Sequence, residues 1–236
     1  MEIFTSIYRW VMGFAVFAIG GPLLMILTLF PGDGLHYRGA RILSRAILWT
    51  LGARIRVEGT FPTDQTYILM ANHASFIDPF IIAAVMKGKC TGVMAEESMK
   101  YPLWGALLRR LRVIPIRRRS RDSARSSIKV AEDRLQAGYN VVILPEGTRT
   151  LDGKLGLLKK GGFHLAVNTG SPILVIGIEG AFRFKRKTSW RLRPGPIIVR
   201  FGTAIQAEDY QRMSMAEVME AVRGQLEVLS GETAPV

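Results

Sequence analysis

From residue 10 to residue 32 the chain carries no charged side chain. A helix needs about 20 apolar residues to cross a bilayer core, so this run constrains everything built after it. Three arrangements fit: a helix that spans a membrane, a helix that enters one leaflet and stays there, and a buried helix of a soluble core. Gly20-Gly21-Pro22 falls midway and predicts an interruption. A cleaved signal peptide fits poorly, because the apolar region is long and Pro31-Gly32-Asp33-Gly34 follows where an Ala-x-Ala pattern should stand. Residues 36–54 then mix Arg38, Arg41, Arg45 and Arg54 with Ile42, Leu43, Ile47, Trp49 and Leu51 at helical spacing. A basic amphipathic helix of this kind lies on an anionic membrane surface. The two segments together are expected to form a membrane-embedded helical hairpin. Arginines downstream of the apolar run place the following domain on the cytoplasmic side of the cytoplasmic membrane, by the positive-inside rule.

The period changes near residue 54. Arg54-Ile55-Arg56-Val57-Glu58 alternates like a half-buried strand. Tyr67-Ile68-Leu69-Met70 and Asn140-Val141-Val142-Ile143-Leu144 are near-continuous apolar runs, as buried parallel strands require. Further strands are expected at residues 91–95, 112–117 and 173–178. Helices are expected at residues 80–86, 99–111, 121–137 and 158–168, the last stopped by Gly170, with a closing amphipathic helix from Met215 to Leu229. Trp190 to Arg193 and Ile197 to Phe201 flank Pro194-Gly195-Pro196 and read as a hairpin near a sheet edge. Alternation of this kind predicts an α/β fold: a mostly parallel sheet flanked by helices, preceded by an N-terminal membrane-embedded helical segment. The expected division is residues 1–53 for the membrane helices and residues 54–236 for the α/β domain.

In such folds ligands bind at the carboxyl ends of the strands, and three polar loops stand there. The first is Asn72-His73-Ala74-Ser75-Phe76-Ile77-Asp78-Pro79. An imidazole can take a hydroxyl proton near neutral pH, and a carboxylate on its other nitrogen would fix its tautomer. Five positions apart, His73 and Asp78 would point about 140° apart on a straight helix, whereas a loop entering a helix can bring them together. Asp78 as a helix N-cap and His73 as a structural histidine are the competing readings. The second loop carries Arg117-Arg118-Arg119 with Arg121 and Arg125, a cluster suited to phosphate, a lipid surface or an acidic carrier, or simply to solvent. The third is Pro145-Glu146-Gly147-Thr148-Arg149, where Arg149 could clamp a phosphate; its competing reading is a turn with a Glu146–Arg149 surface ion pair. Leu155 stands after Lys154 where a phosphate-binding Walker loop needs Ser or Thr.

Charge narrows the partners. The 236 residues carry a formal net charge of +13, and 48% are apolar, enough for a real core. Nucleic acid, anionic lipid, a phosphorylated substrate and an acidic carrier protein all suit that charge. Nucleic acid is not expected, because no stacking aromatics interleave the arginine run. Cys90 is the only cysteine and the three histidines are scattered, so neither a disulfide nor a zinc site is expected. No Gly-x-Ser-x-Gly nucleophile elbow is present, and no covalent intermediate is suggested.

These three loops, in this order, resemble the glycerolipid acyltransferases, and most closely the lysophosphatidic acid acyltransferases. Asn72, His73 and Asp78 match the first family motif. Ile114-Pro115-Ile116 with Arg118 matches the second, although Arg112 replaces the family glycine before it. Leu144-Pro145-Glu146-Gly147-Thr148-Arg149-Thr150 matches the third, and Lys159-Lys160-Gly161-Gly162 resembles the region after it. A fourth, proline-containing motif is only partly matched by Pro172-Ile173-Leu174-Val175-Ile176. The resemblance implies acyl transfer from acyl-CoA or acyl carrier protein to the free hydroxyl of 1-acylglycerol-3-phosphate, giving phosphatidic acid, with no bound cofactor. It makes His73 the general base and Asp78 its support, with backbone N–H groups near a helix start holding the oxyanion. It places Asn72, Arg118, Glu146, Gly147, Thr148, Arg149 and Lys160 at the substrate, with Glu146 holding Arg118 or Arg149. Membrane lipids, the lysophospholipid acceptor and the thioester donor are the implied partners. Another acceptor, such as lyso-ornithine lipid, is the alternative within the class. A non-catalytic basic protein bound to membrane or nucleic acid is the alternative outside it.

Overall fold

The computed structural model describes residues 2–30, 33–117 and 121–231. Two long helices open the chain, α1 (Glu2–Leu27) and α2 (Asp33–Leu51), and they pack along each other. Seven strands follow among the described residues: β1 (Ala53–Glu58), β2 (Ile68–Ala71), β3 (Cys90–Ala95), β4 (Ile114–Ile116), β5 (Asn140–Ile143), β6 (Ile173–Glu179) and β7 (Gly195–Phe201). The later helices are α3 (Asp78–Val85), α4 (Pro102–Arg110), α5 (Arg121–Gln136), α6 (Gly161–Thr169), α7 (Ala181–Phe184), α8 (Ala207–Tyr210) and α9 (Met215–Leu229).

One sheet runs in the order β1-β7-β6-β2-β5-β3-β4. All its pairs are parallel except β6 with β7. The apolar runs of the central strands divide by alternate residues. Leu69, Ala71, Leu174 and Ile176 face one core, shared with Leu48 and Leu51 of α2 and Ile81 and Ile82 of α3. Ile68, Met70, Ile173 and Val175 face the other, shared with Ala131 and Leu135 of α5, Phe163 of α6 and Val222 of α9. Burial on both faces is why these strands show no polar alternation in the sequence.

Four local expectations are corrected. Gly20-Gly21-Pro22 does not break the first helix: α1 runs through it, and the glycines mark close contacts instead. A Cβ at Gly20 would lie 2.4 Å from Leu43 of α2, and one at Gly21 would lie 2.9 Å from Leu103 of α4. The helix expected at residues 99–111 is split. The residue before a proline avoids the α region, so Tyr101 is extended, Glu96–Lys100 forms a separate 3-10 turn, and α4 begins at Pro102. The helix expected from residue 158 begins at Gly161, because the Lys159 N–H is drawn 2.8 Å from the Pro145 carbonyl. Residues 190–193 form no strand. The Ser6 hydroxyl of α1 accepts from the Leu192 N–H (3.1 Å) and donates to its carbonyl (3.3 Å), while β7 pairs with β6 and β1.

Arg112, which stands where the resembled family has glycine, has φ 59 and is the only non-glycine with positive φ among the described residues. The left-handed region costs an ordinary residue about 1–2 kcal/mol. Here the guanidinium lies 5.4 Å from the Tyr139 ring centroid and the Arg112 carbonyl accepts from the Thr91 hydroxyl at 2.7 Å. These contacts offset part of that cost.

Candidate active site

The crossovers bring two polar loops together. From β2 the chain passes through α3 to β3 and β4, returns through α5 to β5 beside β2, then crosses to β6 on the other flank of β2. The carboxyl ends of β2 and β5 are therefore neighbours at a switch in strand order, where α/β sheets open a crevice. The loop after β2 carries His73 and the loop after β5 carries Glu146 and Arg149.

Asp78 is fully buried and organises the first loop. Its Oδ2 accepts from the Ala74 N–H, the Ser75 N–H and His73 Nδ1, all at 2.8 Å. The carboxylate thus reaches back over the preceding loop. Ile77 holds the N-cap position of α3 and makes no side-chain cap, so the N-cap reading of Asp78 fails. Nδ1 of His73 is engaged by the carboxylate, which leaves Nε2 for a substrate. The imidazole is 14% exposed.

Glu146 is also buried, and both its oxygens take backbone donors: Oε1 accepts from the His73 N–H at 2.6 Å and Oε2 from the Gly156 N–H at 2.8 Å. The Thr150 N–H donates to the His73 carbonyl at 2.9 Å. The two loops are in this way clamped on both sides of His73. Burial pushes the Glu146 carboxyl above the ordinary range, against the pull of those two N–H groups. Among the described residues it meets no arginine, so the expected Glu146–Arg149 tie is replaced by a tie between loops.

A cavity of about 1020 Å³ opens beside the imidazole. Its apolar walls include Trp10, Phe14 and Phe17 of α1, Phe76, Phe80 and Trp104. Arg117, Arg149 and Lys159 supply cations to its lining. Arg117 donates through Nε and, at 3.1 Å, through Nη2 to the Glu96 carboxylate, which that guanidinium holds below the usual range. Arg149 and Lys159 have no carboxylate partner of this kind among the described residues. The lining thus supplies cations, and its apolar remainder suits a hydrocarbon chain.

A sequence model of the acyltransferase family matches residues 54–179. The chain belongs to the acyltransferase family. A 1-acyl-sn-glycerol-3-phosphate acyltransferase from Cocos nucifera is 32% identical over 182 residues, which cover 77% of this chain and 59% of the coconut protein. One from Limnanthes douglasii is 32% identical over 198 residues, covering 82% of this chain and 70% of that protein. The crystal structure of the 1-acyl-sn-glycerophosphate (LPA) acyltransferase PlsC from Thermotoga maritima is similar with a TM-score of 0.84 at 21% identity, covering 100% of this chain and 98% of that one. That similarity shows a shared fold.

Within this acyltransferase the residues singled out in the sequence occupy different positions. His73, Gly147 and Arg149 line the cavity. Gly147 has φ 67, and a Cβ there would lie 2.7 Å from Lys159 Nζ, so the glycine both turns the loop and makes room for that lysine. Asn72 is buried away from the cavity, with its amide bonded to the Ile178 carbonyl (3.0 Å) and the Ile178 N–H (2.8 Å), which extends the pairing of β2 with β6. Thr148 is exposed and accepts from Lys187 Nζ at 3.0 Å. Lys160 is exposed at the start of α6, and its neighbour Lys159 lines the cavity instead. Arg118 lies outside the described residues. Sequence reasoning missed Lys159, Phe76 and the Gly156 N–H, whose positions depend on how loops fold back.

Proposed function

We propose that this acyltransferase transfers an acyl group from a thioester, acyl-CoA or acyl carrier protein, to the free hydroxyl of 1-acylglycerol-3-phosphate. The observation that carries the reading is an imidazole bonded at 2.8 Å to a fully buried carboxylate on the wall of a large, mostly apolar cavity, where Arg149 and Lys159 meet no carboxylate among the described residues. His73 Nε2 takes the hydroxyl proton, the oxygen forms a bond to the thioester carbonyl carbon, the C–S bond breaks, and the imidazolium returns the proton to the departing thiolate. Asp78 stabilises that imidazolium. General-base catalysis contributes about 10²- to 10⁴-fold. Arg149 and Lys159 hold the acceptor phosphate; for Arg118 the match to the second family motif alone supports the same role. The names of the similar plant proteins support this acceptor. The test is acyl transfer from each donor to lysophosphatidic acid by purified protein, wild type beside His73→Ala. Loss of a hundredfold or more in the variant is expected. Equal activity in both proteins removes His73 from the mechanism, and wild-type activity confined to another lysolipid transfers the reading to that acceptor.

We infer that the helical hairpin lies in one leaflet, with the catalytic cleft at the cytoplasmic surface. Supporting this, α1 is long and apolar enough to cross a membrane, yet it touches the α/β domain along its length. The Trp10 ring lies 5.2 Å from Phe76, Phe17 lies 6.0 Å from Trp104, and Gly21 abuts Leu103. Contacts from residue 6 to residue 21 extend over about 22 Å of helix. A perpendicular span would draw the charged flank of that domain into hydrocarbon. Phe4, Val11, Ile19 and Leu23 stay exposed and offer the lipid-facing side. Cysteines placed at residues 4 and 30 should both resist a membrane-impermeant thiol reagent added from the far side, and labelling from that side refutes the placement.

A further inference from the structure

Residues 183–193 hold six cations, Arg183, Lys185, Arg186, Lys187, Arg191 and Arg193, and no carboxylate. They form an irregular strap from the end of α7 to the start of β7. Its near end is tied to both loops of the site: the Ser75 hydroxyl donates to the Lys185 carbonyl at 3.0 Å, and Lys187 Nζ donates to the Thr148 hydroxyl at 3.0 Å. Ser75 and Phe76 follow His73, and Thr148 precedes Arg149, so the strap sets its lysines behind the cavity wall.

Lys185 is the unusual member. It is 8% exposed, its ammonium donates to the Arg186 carbonyl at 2.8 Å and lies 5.5 Å from the Phe76 ring centroid, and no carboxylate pairs with it among the described residues. Burial, and then the nearby Arg149 guanidinium, lower its pKa from the ordinary lysine value. Burying a cation without a counterion costs several kcal/mol. A third positive group beside the existing pair makes sense where a multiply charged anion arrives.

We propose that Lys185 and Lys187 are positioning residues for the phosphate monoester of the acceptor, forming with Arg149 a three-cation shelf at the 148–149 corner. The proposal rests on the acyl-transfer reading. Lys185 stands behind Phe76 and acts through Arg149: like charges repel, so the guanidinium is kept turned toward the cavity it lines. Lys187, held by Thr148, adds a second field source from the rim. The shelf favours a dianionic acceptor over a neutral one that has the same chain and hydroxyl.

The experiment compares lysophosphatidic acid with monoacylglycerol, which lacks the phosphate, in full-length Lys185→Gln, Lys187→Gln, Lys185→Arg and wild type at saturating acyl donor. In each Gln variant KM for lysophosphatidic acid should rise about tenfold, the scale of one unit charge about 10 Å from the phosphate at an effective dielectric of 20, with kcat changed by less than about threefold. The preference for the phosphorylated acceptor should fall by the same factor, and Lys185→Arg should restore it. An unchanged preference in both Gln variants overturns the proposal, as does an equal loss on both acceptors, the mark of a merely structural role. If Lys185→Gln does not fold, the exposed Lys187→Gln decides by itself. Quenching of Trp10 and Trp104 fluorescence by the two lysolipids reads the same preference as binding. Wild type that binds with a phosphate preference but does not turn over would therefore refute the acyl-transfer reading and leave the shelf standing.

Discussion

Asp78→Asn separates the charge of Asp78 from its role as a scaffold. The Ala74 and Ser75 N–H groups both point at Oδ2 from 2.8 Å, so the asparagine must keep its oxygen there and turn its NH₂ to the Oδ1 position. Oδ1 is buried and has no hydrogen-bond partner among the described residues. One unsatisfied buried donor costs about 1–3 kcal/mol, a modest loss that leaves the loop in place. His73 Nδ1 retains a neutral acceptor. What disappears is the negative charge facing the imidazolium formed during proton transfer. Two unit charges about 4 Å apart interact by roughly 4 kcal/mol at an effective dielectric of 20. At about 1.4 kcal/mol per tenfold, retaining a neutral hydrogen bond in exchange predicts a fall in kcat of about 10²- to 10³-fold with little change in acceptor KM. Steady-state release of the thiol from acyl-CoA, with lysophosphatidic acid as acceptor, measures both constants. Asp78→Ala provides the contrast: it strands two backbone donors as well and should lower thermal stability further than Asp78→Asn. A folded Asp78→Asn protein with kcat within fivefold of wild type would refute the reasoning.

Glu146→Gln leaves one oxygen for two backbone donors, so it should destabilise the protein by about 1–3 kcal/mol in urea unfolding. Burial raises the Glu146 pKa above its ordinary 4.5; the folded state therefore binds that proton more tightly, and the contribution is full below about 4.5 and lost as pH rises through the raised value. The wild-type stability advantage over Glu146→Gln should accordingly shrink from pH 4 to pH 7, and an advantage that grows over that range would contradict the assignment. Arg112→Ala keeps the left-handed backbone and loses the ring contact, whereas Arg112→Gly relieves the backbone; glycine should be the more stable of the two by about 1 kcal/mol, and equal melting points would show that φ 59 carries no strain. Gly147→Ala puts a Cβ at 2.7 Å from Lys159 Nζ in left-handed backbone, so stability should drop by about 1–2 kcal/mol and acceptor KM should rise; wild-type values of both would show that the loop yields freely.

The sequence by itself determined the alternation of strands and helices and named the polar residues of the first loop. Strand and helix alternation is a local property of burial, and Gly170, Pro79 and the double-sided apolar runs mark their elements whatever the partners. His73 and Asp78 could be named because they stand at a strand end ahead of Pro79 and match the first motif of the resembled family; spacing alone left the N-cap and structural-histidine readings open. Tertiary structure decided what lay beyond local pattern. Gly20-Gly21-Pro22 looks like a break in the chain alone and becomes a packing seam only when Leu43 and Leu103 arrive from α2 and α4. Residues 190–193 have strand composition, yet Ser6, 186 positions away from Leu192, takes their hydrogen bonds. Glu146 reads as a partner of Arg149 until the adjacency of β2 and β5 offers it two backbone N–H groups instead. The lysines of the strap had no local signal beyond a run of like charge. Which of them approach Arg149 is set by where the chain returns after β6, and no periodicity along the sequence encodes that distance.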